Sequence, residues 1–351
     1  MQFDKKITKK ILVGKIEIGG GSPISIQTMT KTKTSDTIAT LKQIEQVALA
    51  GADIVRVTVN DENAANSMQE ICKTSPIPVV ADIHFNYIFA LKSIEAGVAK
   101  VRINPGNIGS SERIKKVLDA ARTNGIPIRI GVNSGSLEKD ILQKYGHPTA
   151  EALVESALRH VKIANDYNFD DICISVKSTS VKLTVEAYRL LSERTNYPLH
   201  LGVTEAGTFL SGTIKSAVGI GSLLAEGIGD TIRVSLTDDP VREVEVAQEI
   251  LQSLELREKY IEIISCPTCG RLQVDLVPIA KQLQERVRPI KKKIKVALMG
   301  CAVNGPGEAR EADIGVACGD GEALLFKSGQ IIGKIPEEKI LEILIEEIEK
   351  Y

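Results

Sequence analysis

The stretch Val79-Val80-Ala81-Asp82-Ile83-His84 carries the pattern that decides the fold of this chain. Its first positions are apolar on both faces, and one alternating set of side chains ends in Asp82 and His84. Because successive side chains of a strand point to opposite faces, this run predicts a buried strand with a polar carboxyl end. Eight runs of this kind are expected as strands, at residues 24–27, 54–57, 79–83, 101–103, 128–130, 172–175, 199–203 and 232–235.

Helical patterns separate nearly all of these runs. In residues 37–49 the apolar positions recur with helical spacing, as they do in residues 114–121, 152–164 and 241–254. This alternation predicts an α/β fold, a (β/α)8 TIM barrel over residues 1–257. An open doubly wound sheet is the alternative. No Gly-x-Gly-x-x-Gly follows the first strand, which weighs against a dinucleotide-binding fold.

The pattern changes after about residue 257, and residues 258–351 predict a smaller α+β domain. Strands are expected at residues 261–264, 294–299, 314–317, 323–326 and 331–335, and helices at residues 274–287 and 337–350.

The composition is that of an ordinary soluble globular protein. Of the 351 residues, 43% are hydrophobic and 25% are charged, and the formal net charge is −1. Because the chain has no global field of either sign, we expect no nucleic-acid partner and no membrane partner. The N-terminal residues lack the apolar core of a signal peptide, and six scattered cysteines do not suggest a disulfide framework. We therefore expect a cytoplasmic protein.

Three cysteines near the C-terminus point to a metal centre. Cys266 and Cys269 stand in Cys266-Pro-Thr-Cys269-Gly, and Cys301 stands in Gly300-Cys301-Ala-Val-Asn-Gly-Pro-Gly-Glu308. Thiolates grouped by turn residues are typical ligands of a soft metal, which favours an iron–sulfur cluster. Zinc is the main competitor, but all four histidines of the chain precede residue 250.

A fourth thiolate is not evident. Cys318 shares its alternation with Ile314 and Val316 on a strand-like run, so it is interpreted as a small buried apolar side chain.

The polar residues of the barrel strands fall on one alternating set and lie toward the carboxyl ends, where TIM-barrel active sites are found. Five of them are cationic and would repel one another unless an anion joined them. Because arginine suits bidentate recognition of phosphate, we expect a small substrate with two or more phosphate charges. The candidate substrate-binding residues are Arg56, Asp82, His84, Arg102, Asn104, Arg129, Asn133, Lys177, Thr204, Arg233 and Ser235.

Simpler roles stay open for three polar residues. His84 could be a core histidine with satisfied hydrogen bonds, and Asp82 and Glu205 could only balance the cations. Glu205, which follows the seventh strand, is also a candidate proton donor or acceptor beside the substrate.

Several motifs together resemble those of a known family. Over nearly its full length the chain is similar to the bacterial hydroxymethylbutenyl diphosphate synthase family of the non-mevalonate isoprenoid pathway. The motifs that carry the resemblance are Cys266-Pro-Thr-Cys269-Gly-Arg, Gly300-Cys301-Ala-Val-Asn-Gly-Pro-Gly-Glu308, Ala81-Asp-Ile-His-Phe85, Arg102-Ile-Asn-Pro-Gly-Asn107, Arg129-Ile-Gly-Val-Asn133 and Val203-Thr-Glu-Ala-Gly207.

The resemblance implies an iron–sulfur oxidoreductase with a [4Fe–4S] cluster held by Cys266, Cys269, Cys301 and Glu308. Its reaction would be the two-electron ring opening and dehydroxylation of 2-C-methyl-D-erythritol 2,4-cyclodiphosphate to (E)-4-hydroxy-3-methylbut-2-enyl diphosphate, with flavodoxin or ferredoxin as electron donor. A carboxylate is a harder and more labile ligand of iron than a thiolate, so one iron could release Glu308 and bind a substrate oxygen. Glu205 and Glu308 are therefore the candidate catalytic residues.

Two other classes of function are the alternatives. A pterin-linked barrel transferase also has cationic strand ends, although it has no use for the cysteines. A scaffold protein could instead bind zinc and a protein partner through the small domain.

We also expect a homodimer whose active sites are shared between the two chains. The mouth of a TIM barrel is the end at which the carboxyl ends of its strands lie. Each helix runs antiparallel to its strand, so the helix at residues 241–254 returns the chain to the end opposite the mouth. A head-to-tail dimer, in which each cluster domain caps the partner's barrel, brings the cluster to the substrate. The family resemblance implies the same arrangement.

Overall fold

A computed structural model of the chain describes residues 4–103, 108–258, 260–287, 290, 292–301, 303 and 305–351. Of Gly305, Pro306 and Glu308 it describes the backbone alone. The chain divides into two compact units, Met1–Arg257 and Glu258–Tyr351. In the described part of the chain, no helix is both long and apolar enough to cross a membrane.

The first unit contains an antiparallel hairpin and eight parallel strands. The hairpin strands are β1 (Ile11–Val13) and β2 (Ile16–Ile18). The parallel strands are β3 (Ser25–Met29), β4 (Ile54–Thr58), β5 (Val79–Ile83), β6 (Lys100–Ile103), β7 (Ile128–Asn133), β8 (Ile172–Lys177), β9 (His200–Leu201) and β10 (Thr231–Ile232).

Helices follow the strands and cover the outside of the sheet. They are α1 (Thr37–Leu49), α2 (Glu62–Thr74), α3 (Tyr87–Glu95), α4 (Ser111–Thr123), α5 (Lys139–Tyr145), α6 (Ala150–Asp166), α7 (Val181–Arg194), α8 (Phe209–Ala225) and α9 (Pro240–Ser253). Their apolar faces pack on the outward side chains of the strands to form the main hydrophobic core. Asp36, Asp61 and Asp239 cap three of these helices by accepting hydrogen bonds from first-turn N–H groups, which explains why the helices begin there.

The sheet closes into a barrel. Its strand order is β8-β7-β6-β5-β4-β3-β10-β9, and a parallel bridge between Ile174 and Leu199 joins the two ends. The N–H of Ile174 donates to the carbonyl oxygen of Pro198 at 2.9 Å across this seam. The predicted TIM barrel is confirmed, and the open doubly wound sheet is wrong.

The hairpin was not predicted from the sequence. Ile11, Val13 and Ile18 pack against Ile54 and Val80, which lie on the inward face at the start of β4 and β5. The hairpin therefore plugs the end of the barrel opposite the mouth.

Two strand predictions were too long. Residues 199–203 and 232–235 were expected as strands, but β9 and β10 are regular over two residues each. β9 ends just before Gly202, where a Cβ atom would lie 2.6 Å from the carbonyl oxygen of Arg233 and 2.6 Å from Lys177 Nζ. A residue with a side chain would therefore not fit at position 202 without displacing the backbone at Arg233.

The second unit is an α+β layer. β11 (Ile261–Ser265), β12 (Ile294–Met299) and β13 (Ile314–Cys318) are parallel, and β14 (Glu322–Lys327) and β15 (Gln330–Pro336) continue the sheet antiparallel. The helices of this unit are α10 (Leu276–Val287), α11 (Gly305–Arg310) and α12 (Ile340–Lys350). The helix expected at residues 337–350 begins as a 3-10 turn, Glu337–Lys339, because that turn follows directly on Pro336 at the end of β15.

Candidate active site and metal centre

Three arginines lie side by side in the barrel lumen. Arg102 of β6 pairs in register with Arg129 of β7 on one side and with Asp82 of β5 on the other. Arg56 of β4 completes the group, and all four side chains are buried. The inward alternation predicted from the sequence therefore brings these residues together.

Asp82 is the hub of this group. One of its carboxylate oxygens lies 3.1 Å from Arg102 Nη1, and the other lies 3.6 Å from Arg56 Nε and 3.8 Å from His84 Nε2. Burial alone would raise the pKa of Asp82, but the charges of Arg56 and Arg102 outweigh it and hold that pKa below its usual range. Asp82 therefore stays ionised and fixes two of the arginines in place.

Arg129 and Lys177 have no such carboxylate. Within the described residues neither makes an ion pair, and Nε and Nη1 of Arg129 are buried without a hydrogen-bond partner. Burial, reinforced by neighbouring cations, lowers the pKa of both, that of Arg129 to about 10. Asn133 pairs in register with Lys177 and lies beside it at the mouth. Both cations are therefore able to meet a ligand anion.

Glu243 is a functional residue that the sequence analysis missed. This buried side chain of α9 accepts hydrogen bonds from Thr28 Oγ1 and from the N–H of Leu236, both at 3.0 Å. It also lies 3.3 Å from Lys31 Nζ and 3.8 Å from Arg233 Nη2. Glu243 thus positions Arg233 at the mouth and connects β3 to the loop that follows β10. A signal was present, since this carboxylate stands on the apolar, core-facing side of a helix.

The lumen carries a surplus of positive charge. Asp82 and Glu243 are the carboxylates that face its cations in the described part of the barrel, and Asp230 is held at the opposite end by Lys5 and the N–H of Leu199. The cationic side chains are Arg56, Lys100, Arg102, Arg129, Lys177 and Arg233. Like charges in a low-dielectric interior repel strongly, so this arrangement favours binding of a polyanion.

The rim holds the remaining predicted residues. Thr204 and Ser235 are half-buried at the carboxyl ends of β9 and β10, and His84 is half-exposed beside Asp82. Glu205 is exposed and has φ of +51°, a left-handed conformation that is costly for a residue with a side chain. Such strain is typical of functional loops. Asn104 lies outside the described residues.

The three cysteines of the second unit stand at the ends of two adjacent strands. Cys266 follows β11 and Cys301 follows β12 by two residues, and these strands are parallel neighbours. The N–H of Gly300 donates to Cys266 Sγ at 3.3 Å. A Cβ atom at Gly300 would lie 2.3 Å from Leu272 Cδ1 and 3.3 Å from Cys266 Sγ, so a larger residue here would require the Leu272 side chain to move.

The loop between Cys266 and Cys269 is strained at Thr268, whose φ is +53°. A β-branched residue rarely adopts this conformation, which here turns the loop back toward the strand ends. Hydrogen bonds from the backbone N–H and the guanidinium of Arg271 lower the pKa of Cys269. A backbone N–H on sulfur and a neighbouring cation both favour thiolates, the form in which cysteine binds metal.

The donor set fits a thiolate-bound metal centre, although the site is not assembled among the described residues. No three of the described His, Cys, Asp and Glu side chains lie close enough together to hold a metal ion, and the side chain of Glu308 lies outside them. All six cysteines are described, and none is in a disulfide. Burial raises the pKa of Cys318 to about 12, and this residue packs in the core of the second unit, as predicted.

Fold and site together define a TIM-barrel protein with a strongly cationic lumen and a second, cysteine-bearing unit. The chain belongs to the GcpE family: the model of the GcpE TIM-barrel domain matches residues 8–248, and the model of the GcpE protein C-terminal domain matches residues 262–350. The family expected from the sequence motifs is confirmed.

Curated relatives match over almost the whole length. A protein of Clostridium perfringens is 59% identical over 347 residues, which cover 99% of each chain. A protein of Geobacter sulfurreducens is 56% identical over 346 residues, covering 99% of this chain and 98% of the relative. Both are named 4-hydroxy-3-methylbut-2-en-1-yl diphosphate synthase (flavodoxin).

A solved structure shows the same barrel in a distant protein. N-acetylneuraminic acid synthetase of Leptospira borgpetersenii superposes with a TM-score of 0.51 at 14% identity, covering 80% of this chain and 97% of that chain. At this identity the likeness concerns the fold alone.

Proposed function

We propose that this chain is a flavodoxin-dependent 4-hydroxy-3-methylbut-2-en-1-yl diphosphate synthase, an oxidoreductase that reductively opens a cyclic diphosphate. The observation that carries the proposal is the surplus of cations in the lumen, in a chain 59% identical to a curated synthase over its full length. The surplus needs a ligand with several negative charges, which the cyclic diphosphate supplies. No feature of the family matches supports the pterin-linked transferase or the zinc scaffold.

The diphosphate binds to the cations that no carboxylate occupies. Arg129, whose Nε and Nη1 have no hydrogen-bond partner among the described residues, and the buried Lys177 are the primary phosphate ligands. Arg56 and Arg102, held by Asp82, and Arg233, held by Glu243, surround them as preorganised donors. Asn133, His84, Thr204 and Ser235 line the rim, where they orient the carbon skeleton.

Cys266, Cys269, Cys301 and Glu308 would hold a [4Fe–4S] cluster in the second unit. The support is the hydrogen bond from the N–H of Gly300 to Cys266 Sγ, the lowered pKa of Cys269 and the place of Glu308 in α11, shortly after Cys301. When bound, such a cluster supplies the two electrons of the reaction, which it receives from flavodoxin.

The side chains of the barrel stabilise the negative charge that develops in the reaction and supply a proton. As the ring carbon–oxygen bond breaks, negative charge grows on the departing phosphate oxygen, and Arg129 and Lys177 stabilise it without having to reorganise. The neighbouring hydroxyl group leaves as water once it has received a proton. Glu205, exposed at the rim on a strained turn, donates that proton.

A homodimer with shared active sites completes the proposal. At the end of α9 the guanidinium of Arg257 binds the carboxylate of Asp53 with two contacts of 3.1 Å, and Asp53 immediately precedes β4. The chain therefore leaves the barrel at the end opposite the mouth. A second copy of the chain is proposed to bring its cluster unit to this mouth.

Helix α8 offers a surface for the second copy. Leu210, Ile214 and Val218 are 72%, 55% and 53% exposed, and their spacing places them on one face of the helix. An exposed apolar stripe of this kind is typical of a protein–protein interface.

We place the protein in the cytoplasm, where its cysteines stay reduced and flavodoxin is present.

The cluster is tested by anaerobic purification followed by iron and sulfide analysis. The expected result is a brown protein with about four iron atoms and about four sulfide ions per chain. A colourless protein that contains zinc instead would support the scaffold alternative and refute the proposed function.

A second prediction concerns the arginines of the lumen. Changing Arg56, Arg102 or Arg129 to Met should weaken binding of the cyclic diphosphate by about 1.5–3 kcal/mol each, because each change removes a charge-assisted hydrogen bond. Titration calorimetry gives the affinities, and the visible spectrum shows whether the cluster is retained. The matched control is Arg194→Met on the exposed end of α7, which should bind normally.

The same variants should differ in stability. Arg102→Met leaves the buried Asp82 with fewer partners and should lower the melting temperature. Arg129→Met breaks no ion pair among the described residues, so its melting temperature should fall less.

Unchanged affinity for the cyclic diphosphate in all three variants would refute the role assigned to the lumen.

A further inference from the structure

Lys100 is a buried cation that the sequence analysis did not find. It is the first residue of β6 and shares the inward alternation of Arg102, which stands two residues further along the strand. The side chain has no exposed surface, and Nζ has no hydrogen-bond partner among the described residues. The expected strand began at Val101, which left Lys100 outside the inward set.

Other polar groups without partners lie in the same part of the lumen. Both ring nitrogens of His200, both amide atoms of Gln27 and two guanidinium nitrogens of Arg129 are buried and make no hydrogen bond within the described part of the chain. The register places Val80 beside both Lys100 and Arg56, so Lys100 lies level with Arg56 and one layer below Asp82, Arg102 and Arg129. The hairpin core of Ile11, Val13 and Ile18 closes this layer from beneath.

An unpaired ammonium in such a place destabilises the folded protein. Burial removes its hydration, and the charges that face it, Arg56 on β4 and Arg129 on β7, are of the same sign. The other titratable groups facing it are Cys173 on β8 and His200 on β9, neither of which is a carboxylate. A structural role does not explain a lysine here, but a ligand that brings negative charge from above does.

We propose that Lys100 is a sixth cation of the polyanion site, which acts by its charge from below on a diphosphate bound at Arg129. This inference rests on the proposed function and deepens it, since it extends the binding site to a layer of the barrel that the mouth does not reach. Lys100 raises the affinity for the polyanion, and the free protein is less stable because of it.

The proposal predicts that Lys100 takes up a proton when a polyanion binds at high pH. Burial, reinforced by Arg129 and Arg56, lowers the pKa of Lys100 to about 8, although Cys173 opposes the shift. A polyanion above it favours the ammonium and raises that pKa again. Binding at pH values above about 8 is therefore accompanied by uptake of a proton at Lys100, whereas well below pH 8 the group is already protonated in both states.

The experiment uses the full-length holoenzyme with inorganic diphosphate as the probe. Titration calorimetry near pH 8.5, in two buffers of different ionisation enthalpy, gives the affinity and the number of protons taken up. Lys100→Met and Lys100→Gln should each lower the affinity at pH 7 by about tenfold or more. Both variants should take up fewer protons than the parent protein, in which Lys177, whose pKa is also lowered, is a second site of uptake. Comparison with the parent removes the protons exchanged by the probe itself.

Thermal unfolding of the free protein separates this role from a structural one. The lysine is destabilising below its unfolded-state pKa, so Lys100→Met should melt at or above the temperature of the parent at pH 7. The matched control is Lys182→Met on the exposed face of α7, which should change neither affinity nor proton uptake.

The outcomes distinguish this inference from the function it rests on. If Arg129→Met loses diphosphate binding while both Lys100 variants bind like the parent and take up as many protons as the parent, the role of Lys100 is overturned and the proposed function stands. If the parent holoenzyme itself does not bind inorganic diphosphate, both fail. Lower stability of both Lys100 variants with unchanged affinity would assign the residue to the fold.

Discussion

Replacing Cys301 by serine should abolish turnover and remove the visible absorbance of the protein. Serine offers an alkoxide donor that iron prefers far less than a thiolate, and Cys301 stands on the strand end next to Cys266. We expect iron and sulfide to fall to near zero in anaerobically purified Cys301→Ser, while the barrel still binds inorganic diphosphate.

Cys318→Ser is the matched control for this prediction. Cys318 is buried in β13 with its pKa raised to about 12, so it is a core side chain and its variant should keep both cluster and turnover. Glu308→Ala should retain part of the cluster but lose turnover, because the thiolates remain and the carboxylate does not. Loss of the cluster in Cys318→Ser together with full activity of Glu308→Ala would show that the fourth ligand is wrongly assigned.

Mixing two inactive chains should restore activity. Cys301→Ser has an intact barrel, and Glu205→Gln has intact cluster ligands, so in a mixed dimer one of the two sites combines both working parts. Each variant alone should be inactive, and the mixture, after exchange of subunits, should regain up to about half of the activity per mixed dimer. Turnover is measured alongside mass spectrometry of the intact dimers.

The control mixes Cys301→Ser with Glu308→Ala, two variants that both damage the cluster unit. This pair should stay inactive, since no site then has an intact cluster set. If mixed dimers of the first pair form and remain inactive, the active site is contained within a single chain.

Long apolar runs could be located from the sequence to the residue. Residues 79–83 and 294–299 are strands with the expected bounds, because each is a buried run whose alternation is uninterrupted. The hairpin of β1 and β2 could not be found, because its strands have three residues each and are stabilised by contacts distant in sequence, with Ile54 and Val80. The short β9 and β10 were also missed in their bounds, because two residues of regular pairing leave too little pattern in the sequence to mark where a strand ends.

The candidate site likewise contains residues that the sequence predicts and residues that it does not. Inward alternation was enough to group Arg56, Arg102 and Arg129 around Asp82, since it follows from strand geometry alone. It was not enough for Glu243, which reaches the lumen from a helix, or for Lys100, which depends on where β6 begins. Asn104 and the side chain of Glu308 lie outside the described residues, so their assignment stays a prediction.

The most direct test of the proposed function is turnover of the cyclic diphosphate under anaerobic conditions. The full-length protein with its cluster is incubated with 2-C-methyl-D-erythritol 2,4-cyclodiphosphate and reduced flavodoxin, and the products are identified by mass spectrometry. We predict that 4-hydroxy-3-methylbut-2-enyl diphosphate accumulates with about two electrons withdrawn from flavodoxin per molecule, and that Arg129→Met and Cys301→Ser are strongly impaired. A protein with full cluster content that binds the cyclodiphosphate but leaves it unchanged, while flavodoxin stays reduced, would contradict the proposal.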